Sequence, residues 1–229
     1  MNFKRVIFIL YLFFIILIIH ASDKIFHFID TFHKKYPVIN SICASFTQVK
    51  HSPIFLEDIT AHGTFYLRRT KNEKIVLKWE YAPPYEGWTL IKNEKYYVFT
   101  KSLNQLEIYN ASKYLDLKTL FELFDFNKNA VQNFIKKGYI FKVKENANEK
   151  IVTLLAPKSK QFKKLEVYFD KKTLLPLRIF YYKKDDEWVK FFIENIELNK
   201  KLKKDVFNLK VNKDTVIIEE KDIKGLKIK

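Results

Sequence analysis

Three groups of residues in this sequence have side chains that could take part in catalysis or metal binding. The first is the acidic run Asp185-Asp186-Glu187. It stands between two strand-like segments, so a solvated hairpin turn explains it better than a set of catalytic carboxylates does. The second group is the histidines, which lack the spacing to Cys, Asp or Glu that a metal site requires: His27, His33, His51 and His62. The third is Cys43, the only cysteine, whose position in an apolar pattern predicts a small buried core residue.

The sequence also lacks the motifs of common enzyme classes. It has no nucleophile elbow, no glycine-rich phosphate loop and no HExxH pair of metal-binding histidines. We therefore predict that the protein is not an enzyme, and that it has no catalytic residues, no metal and no cofactor.

Apolar residues recur at every second position in several segments, as they do in half-buried β-strands. Ile75, Leu77, Trp79 and Tyr81 alternate with Val76, Lys78 and Glu80, so one side of this strand is strongly apolar. The chain must leave the sheet at Pro83-Pro84, because proline cannot donate a ladder hydrogen bond, and it re-enters at residues 87–91. With 22 Phe, 13 Tyr and 3 Trp in the chain, these strands predict a sheet curled around bulky apolar space.

Segments with helical spacing flank and interrupt the strands. We predict helix over residues 23–49 with a break at Pro37, over residues 116–124, and over residues 128–137 with an end at Gly138. Further strands are predicted at 139–144, 151–156, 165–169, 175–182, 188–198, 206–211 and 215–218. The helices at 116–137 fit either a cover over a curved sheet or ordinary packing against a filled core.

The amino terminus has the features of an export signal. Lys4 and Arg5 precede an uncharged apolar run, Val6 to Ile19, which is shorter than the ~20 residues that span a bilayer. We predict a signal peptide at residues 1–21 and a single domain at residues 22–229. An uncleaved anchor is the alternative, because Ile19 fits poorly at the third position before the cleavage site.

Basic residues outnumber acidic ones, giving a formal net charge of +16. The lysines are spread along the chain, so they indicate either a solvated surface or attraction to anionic membranes. Arginine is scarce and no nucleic-acid motif is present, so we do not expect a nucleic-acid partner.

Several motifs follow one another in a characteristic order. The first are Ala44-Ser45-Phe46-Thr47-Gln48, then Gly63-x-Phe65-x-Leu67-Arg68-Arg69, then Trp79-Glu80-Tyr81-x-x-Pro84. Further motifs lie at residues 154–158, 162–169 and 205–211. In this order and spacing the sequence resembles the LolA family of periplasmic lipoprotein carriers, over nearly the whole chain after the leader.

The resemblance implies a mainly β fold with helices (α+β), a half-open antiparallel β-barrel covered on its concave side by short helices. It also implies a soluble periplasmic carrier that shields the acyl chains of lipoproteins and shuttles them from the inner to the outer membrane. The implied partners are acylated lipoproteins, an inner-membrane ABC-type release complex and, if present, an outer-membrane acceptor. We expect a monomer.

The resemblance also assigns site residues. In the proteins that this sequence resembles, an arginine at the end of the first strand contacts the covering helices, and we call this arginine the latch. Arg69 matches it, with Arg68 as the alternative because Thr70 stands where the family often has proline. Leu77 and Trp79 match apolar residues of the cavity mouth and wall. The full predicted lining is Phe65, Leu67, Leu77, Trp79 and Trp88 on the sheet and Leu117, Leu120, Phe121 and Phe124 on the cover.

A different function is compatible with the same fold. A barrel of this type could bind or sense lipids or lipoproteins as a regulatory module. A periplasmic hydrolase is disfavoured, because the sequence shows neither a nucleophile motif nor a metal-binding set.

Overall fold

The computed structural model describes residues 23–69, 75–111, 128–159, 162–203 and 205–220. The chain is mainly β with helices, as the sequence predicted. In the described ranges it forms two compact units. The first unit comprises residues 23–37 and 128–184, and the second comprises residues 38–111 and 185–220.

The helices are α1, which includes residues 23–35, and α2 (Lys128–Lys136). The strands are β1 (Ser41–His51), β2 (Ile59–Arg69), β3 (Ile75–Tyr81), β4 (Gly87–Lys92), β5 (Lys95–Thr100), β6 (Gln105–Asn110), β7 (Ile140–Glu145), β8 (Glu149–Leu155), β9 (Phe162–Asp170), β10 (Pro176–Lys183), β11 (Trp188–Leu198) and β12 (Val216–Glu219).

The first unit is an antiparallel sheet with helices on its apolar side. Its strand order is β10-β9-β8-β7. The ring of Phe28 on α1 lies 4.8 Å from that of Phe169 on β9, and the ring of Phe134 on α2 lies 6.5 Å from that of Phe141 on β7. The helices therefore bury their apolar faces against this sheet.

One glycine and two polar side chains fix the turns of the first unit. Gly138 has φ of 88° just after α2, as expected for a glycine that ends a helix. The side-chain oxygen of Asn146 accepts hydrogen bonds from the backbone of Asn148 and Glu149. Asp170 accepts in the same way from the backbone of Lys172 and Thr173, so both polar side chains fix hairpin turns.

The second unit contains a longer sheet with the strand order β12-β6-β5-β4-β3-β2-β1-β11. Asn93 and Glu94 both have positive φ, which is typical of the tight two-residue turn that joins β4 to β5. One pair departs from the predicted antiparallel pattern, because β12 runs parallel to β6. The backbone nitrogen of Val216 donates to the Asn104 carbonyl at 3.0 Å, so β12 enters at the end where β6 begins. Within each unit, the described strands form an open sheet.

The prediction of helix beyond Pro37 is wrong. Residues 41–51 form strand β1, which pairs with β2 on one side and β11 on the other. Ladder bonds to two neighbours outweigh a helical spacing that Val38, Ile39 and Ile42 suggested only weakly. Cys43, predicted to be buried in a helix, is instead half-buried on β1, and burial raises the pKa of its thiol.

The prediction of a strand at residues 206–211 is also wrong. This stretch is turn and irregular structure, and we call residues 205–210 the C-terminal strap. The Lys210 ammonium lies 2.9 Å from the Asp205 carboxylate, which bridges the bend. Phe207 is buried, so the strap is held by one inserted ring instead of by a ladder of hydrogen bonds.

Candidate apolar binding face

Strands β2 and β3 bring most of the predicted sheet residues to one side of the second unit. Phe65 pairs with Trp79, Leu67 with Leu77, and Arg69 with Ile75. Because directly paired residues point to the same side of a sheet, these side chains share one face. We call it the binding face. The rings of Phe65 and Trp79 are 5.3 Å apart.

Neighbouring strands extend the binding face with more apolar side chains. On β1, Ile42 pairs with Leu67 and Ala44 with Phe65, and on β4, Ile91 pairs with Leu77. Leu67, Leu77 and Ile91 are buried, whereas Phe65 and Trp79 are only half-buried. The open apolar surface of this face therefore lies at the two aromatic rings and at the half-buried Ile42 and Ile75.

The packing of the binding face around Phe46 requires glycine at position 63. A Cβ atom there would lie 2.2 Å from the carbonyl oxygen of Glu80 and 2.8 Å from Cζ of Phe46. The Phe46 ring occupies the space above Gly63 and meets the Tyr81 ring edge-on at 5.5 Å. Glycine is thus what lets β2 and β3 approach beneath an aromatic pair.

Tyr81 adds a hydroxyl to the face without adding charge. Its oxygen donates a hydrogen bond to Oε1 of Gln48 at 3.0 Å. Burial raises the pKa of Tyr81 to about 12. The phenol therefore stays neutral at physiological pH, and this part of the face stays compatible with hydrocarbon.

A polar strip on β6, which was not predicted from the sequence, borders the apolar region. Register through β5 and β4 places Gln105, Glu107 and Tyr109 on the same side as Leu77. Gln105 Nε2 donates to Glu107 Oε1 at 2.7 Å, and the Tyr109 hydroxyl donates to the other carboxylate oxygen. The alternation of polar and apolar residues in Gln105–Asn110 was the signal that could have revealed it.

Two residues predicted for the site lie on the opposite side of the sheet. Trp88 packs in a buried cluster whose other members are Val76, Leu90, Leu106 and Phe207. The Arg68 guanidinium lies 4.6 Å from the centre of the Phe207 ring. The C-terminal strap covers this side, which we call the strap face, so Trp88 and Arg68 are separated from Leu67, Leu77 and Trp79.

The strap face also contains a buried lysine that the sequence did not single out. Lys78 is 1% exposed, and its ammonium lies 3.4 Å from Glu80 Oε1 and 5.7 Å from the centre of the Trp88 ring. A carboxylate and an aromatic face together stabilise the charge.

Arg69 is the last residue of β2 and lies on the binding face, as its pairing with Ile75 shows. Its backbone nitrogen donates to the carbonyl of Asn40 at 2.8 Å, which anchors the strand end. The predicted cover residues Leu117, Leu120, Phe121 and Phe124 lie outside the described residues.

The polar groups considered for catalysis take structural roles. Asp186 has φ of 62° in the turn before β11, and Glu187 accepts a hydrogen bond from Ser52 at 3.1 Å. His51 pairs with Asp58, and His62 bonds to Thr47. Among the described residues, no three His, Cys, Asp or Glu side chains come together as metal ligands would.

None of the helices in the described ranges has the length and apolar character needed to cross a bilayer.

Comparison with solved structures shows what this fold resembles. An uncharacterised conserved protein from Thermus thermophilus has a TM-score of 0.52 and 11% identity, covering 84% of this chain and 97% of its own. A putative outer membrane lipoprotein-sorting protein domain from Vibrio parahaemolyticus has a TM-score of 0.46 and 10% identity, covering 82% and 97%. A chain of the Pseudomonas aeruginosa MucA/MucB complex has a TM-score of 0.47 and 8% identity, covering 82% and 61%.

Comparison by sequence identifies the family. No curated protein matches this chain. The family model described as outer membrane lipoprotein carrier protein LolA matches residues 38–210, which is most of the chain and includes every described strand of the binding face. This protein belongs to the LolA family.

Proposed function

We propose that this protein is a periplasmic carrier that holds the acyl chains of lipoproteins and shuttles them from the inner to the outer membrane. The observation that carries the proposal is the binding face, where paired strands align Phe65 with Trp79 and Leu67 with Leu77. Membership of the LolA family supports the choice of lipoproteins as cargo.

The energetics of the binding face suit an acyl chain. Each methylene transferred from water to an apolar surface contributes roughly 0.8 kcal/mol, so a few methylenes on the half-buried rings give useful affinity. Tyr81 stays neutral, and the carboxylate of Glu107 is engaged by Gln105 and Tyr109. Hydrocarbon on this face therefore meets no uncompensated charge among these residues.

A carrier must also release its cargo. In the proposed mechanism Arg69 is the latch, because it lies at the end of β2 on the same face as Leu67 and Leu77. The cover that it would hold is the segment with Leu117, Leu120, Phe121 and Phe124, which stays a prediction from the sequence. Loss of the latch would change the balance between loaded and empty states.

Family membership supports the remaining parts of the proposal. An inner-membrane ABC-type complex would load the carrier, and an outer-membrane acceptor would receive the cargo. The exported chain would act as a monomer in one domain beginning at Ser22, without a cofactor, and Trp88 would support the sheet from the strap face.

Adjacent arginines provide the experiment, because they lie on opposite faces of one strand. Arg69→Leu should change transfer of a lipoprotein to acceptor membranes several-fold, with little change in thermal unfolding. Arg68→Leu, the matched control, should lower thermal stability by losing its contact with Phe207, and should leave transfer intact. Normal transfer by Arg69→Leu would exclude Arg69 as the latch.

A further inference from the structure

Antiparallel pairing brings three turns to one end of the second-unit sheet. The turn at residues 52–58 joins β1 to β2, the turn at 82–86 joins β3 to β4, and the turn at 101–104 joins β5 to β6. In a meander of antiparallel strands, alternate turns lie at the same end. The pairing of His51 with Trp188 places the start of β11 at this end as well.

Each of these turns exposes large apolar side chains. Ile54 is 83% exposed and Leu56 is 104% exposed, with Phe55 between them at 55%. Tyr85 and Leu103 are exposed on the other two turns. Three consecutive apolar residues in water are unfavourable in a soluble protein unless they contact a partner. We call Ile54, Phe55 and Leu56 the apolar tip.

Aromatic and basic residues lie directly behind the apolar tip. The rings of His51 and Trp188 are stacked with centres 5.2 Å apart. The Lys190 ammonium lies 4.0 Å from the centre of the Trp188 ring, and Lys50 pairs with Val189 on the same two strands. Along β1 and β11 the residue types thus change from aliphatic at the tip, to aromatic at positions 51 and 188, to lysine at positions 50 and 190. Bilayers present the matching order of hydrocarbon, interface and phosphate.

Three carboxylates at this end have a cationic or hydrogen-bonding partner. Asp58 pairs with His51 at 2.7 Å, Glu86 pairs with Lys101, and Glu187 accepts a hydrogen bond from Ser52. Glu57 beside Leu56, and Asp185 and Asp186 in the turn before β11, are exposed and have the wrong sign for an anionic surface. The formal net charge of the chain, +16, still favours approach to anionic lipid.

We propose that this end of the sheet docks on an anionic bilayer. The apolar tip inserts at the boundary of headgroups and acyl chains, with Tyr85 and Leu103 beside it. Trp188 then lies in the interface, and Lys50 and Lys190 reach lipid phosphates. This contact with the bilayer is separate from the binding of acyl cargo on the binding face.

Vesicle sedimentation tests the proposal. The protein is purified from the cell envelope, with its amino terminus as the cell leaves it, and mixed with vesicles of phosphatidylethanolamine and phosphatidylglycerol. Combined substitution of Ile54→Ser, Phe55→Ser and Leu56→Ser should reduce vesicle binding about tenfold or more. The control Val38→Ser removes an exposed apolar residue that precedes β1 and should bind as the parent does. Equal binding by the tip variant would overturn the proposal.

Charge reversal at Glu57 gives an independent measurement. Glu57→Lys should strengthen binding to phosphatidylglycerol vesicles several-fold and change binding to phosphatidylcholine vesicles little. Absence of vesicle binding by both the parent and Glu57→Lys would assign the apolar tip to a protein partner and overturn the proposal.

Insertion can be observed directly with a fluorophore that responds to polarity. The label is attached at Phe55→Cys in a chain that also has Cys43→Ser, so that the native thiol does not react. A label at Glu94→Cys, in the turn at the opposite end of β4, is the control. A blue shift at position 55 alone supports insertion, whereas shifts at both positions or at neither contradict it. Cargo binding by the tip variant should equal that of the parent. If the bilayer proposal failed in these experiments, the proposed carrier function would therefore be unaffected.

Discussion

At the scale of single residues, the binding face depends on small and neutral groups as much as on large apolar ones. Gly63 leaves room for the Phe46 ring, and Tyr81 contributes a hydroxyl that is held by Gln48. Both residues lie in motifs that carried the family resemblance. Their roles became clear only from contacts across strands.

Gly63→Ala should destabilise the protein by about 1–3 kcal/mol, because the new Cβ overlaps the backbone of β3 and the Phe46 ring. Chemical denaturation measures the free energy of unfolding. The matched control is Thr64→Ala, the next residue of β2, which points to the other face. If the two variants unfold at the same denaturant concentration, the close approach at Gly63 is not a constraint on stability.

Tyr81 should make stability fall at alkaline pH. Its pKa is about 12 in the folded chain and about 10 when unfolded, so the unfolded state loses its proton first. The stabilisation from this group is complete below pH 10 and is lost as pH rises towards 12, amounting to about 2 kcal/mol by pH 12. Tyr81→Phe should show a correspondingly shallower alkaline decline in unfolding free energy. An identical decline in both proteins would contradict the burial of this hydroxyl.

Residue types were easier to predict than residue positions. The sequence marked Arg68, Arg69 and Trp88 as candidates, but the side of the sheet on which each lies depends on strand register. A shift by one residue moves a side chain to the other face. Register across β2, β3 and β4 places Arg69 on the binding face and Arg68 and Trp88 on the strap face.

At the scale of elements, the sequence predicted β3, β4 and β8 to β11 well, because each is a run rich in apolar and β-branched residues that is bounded by a recognisable turn. It failed where long-range contacts decide the structure. Strand β1 has apolar spacing that also fits a helix, and its two neighbours lie far apart in sequence. The strap at residues 205–210 has an apolar pattern but is fixed by the insertion of Phe207.

Phe207→Ala should cost about 3–5 kcal/mol of unfolding free energy, because it empties the centre of the cluster with Val76, Trp88 and Leu90. Leu209→Ala, two residues further along and exposed, should cost less than about 1 kcal/mol. Thermal or denaturant unfolding compares the two variants. Similar costs would mean that the strap is not anchored by Phe207.

At the scale of the whole molecule, two surfaces have different chemistry. The binding face is mainly apolar along β1 to β4, with Arg69 at the end of β2, and the apolar tip at one sheet end is backed by aromatic rings and lysines. A LolA-family carrier needs the first surface to hold acyl chains. The second would bring it to a bilayer.

The central claim is that the cargo is recognised by its acyl chains, and one measurement tests it most directly. The purified protein is mixed in detergent with acylated and unacylated forms of one lipoprotein, then diluted and separated by size exclusion. We predict a water-soluble complex with the acylated form and none with the unacylated form, because the binding face offers hydrocarbon contacts and not a peptide-specific groove. Equal recovery of both forms would show that the protein recognises polypeptide, and would contradict the carrier function.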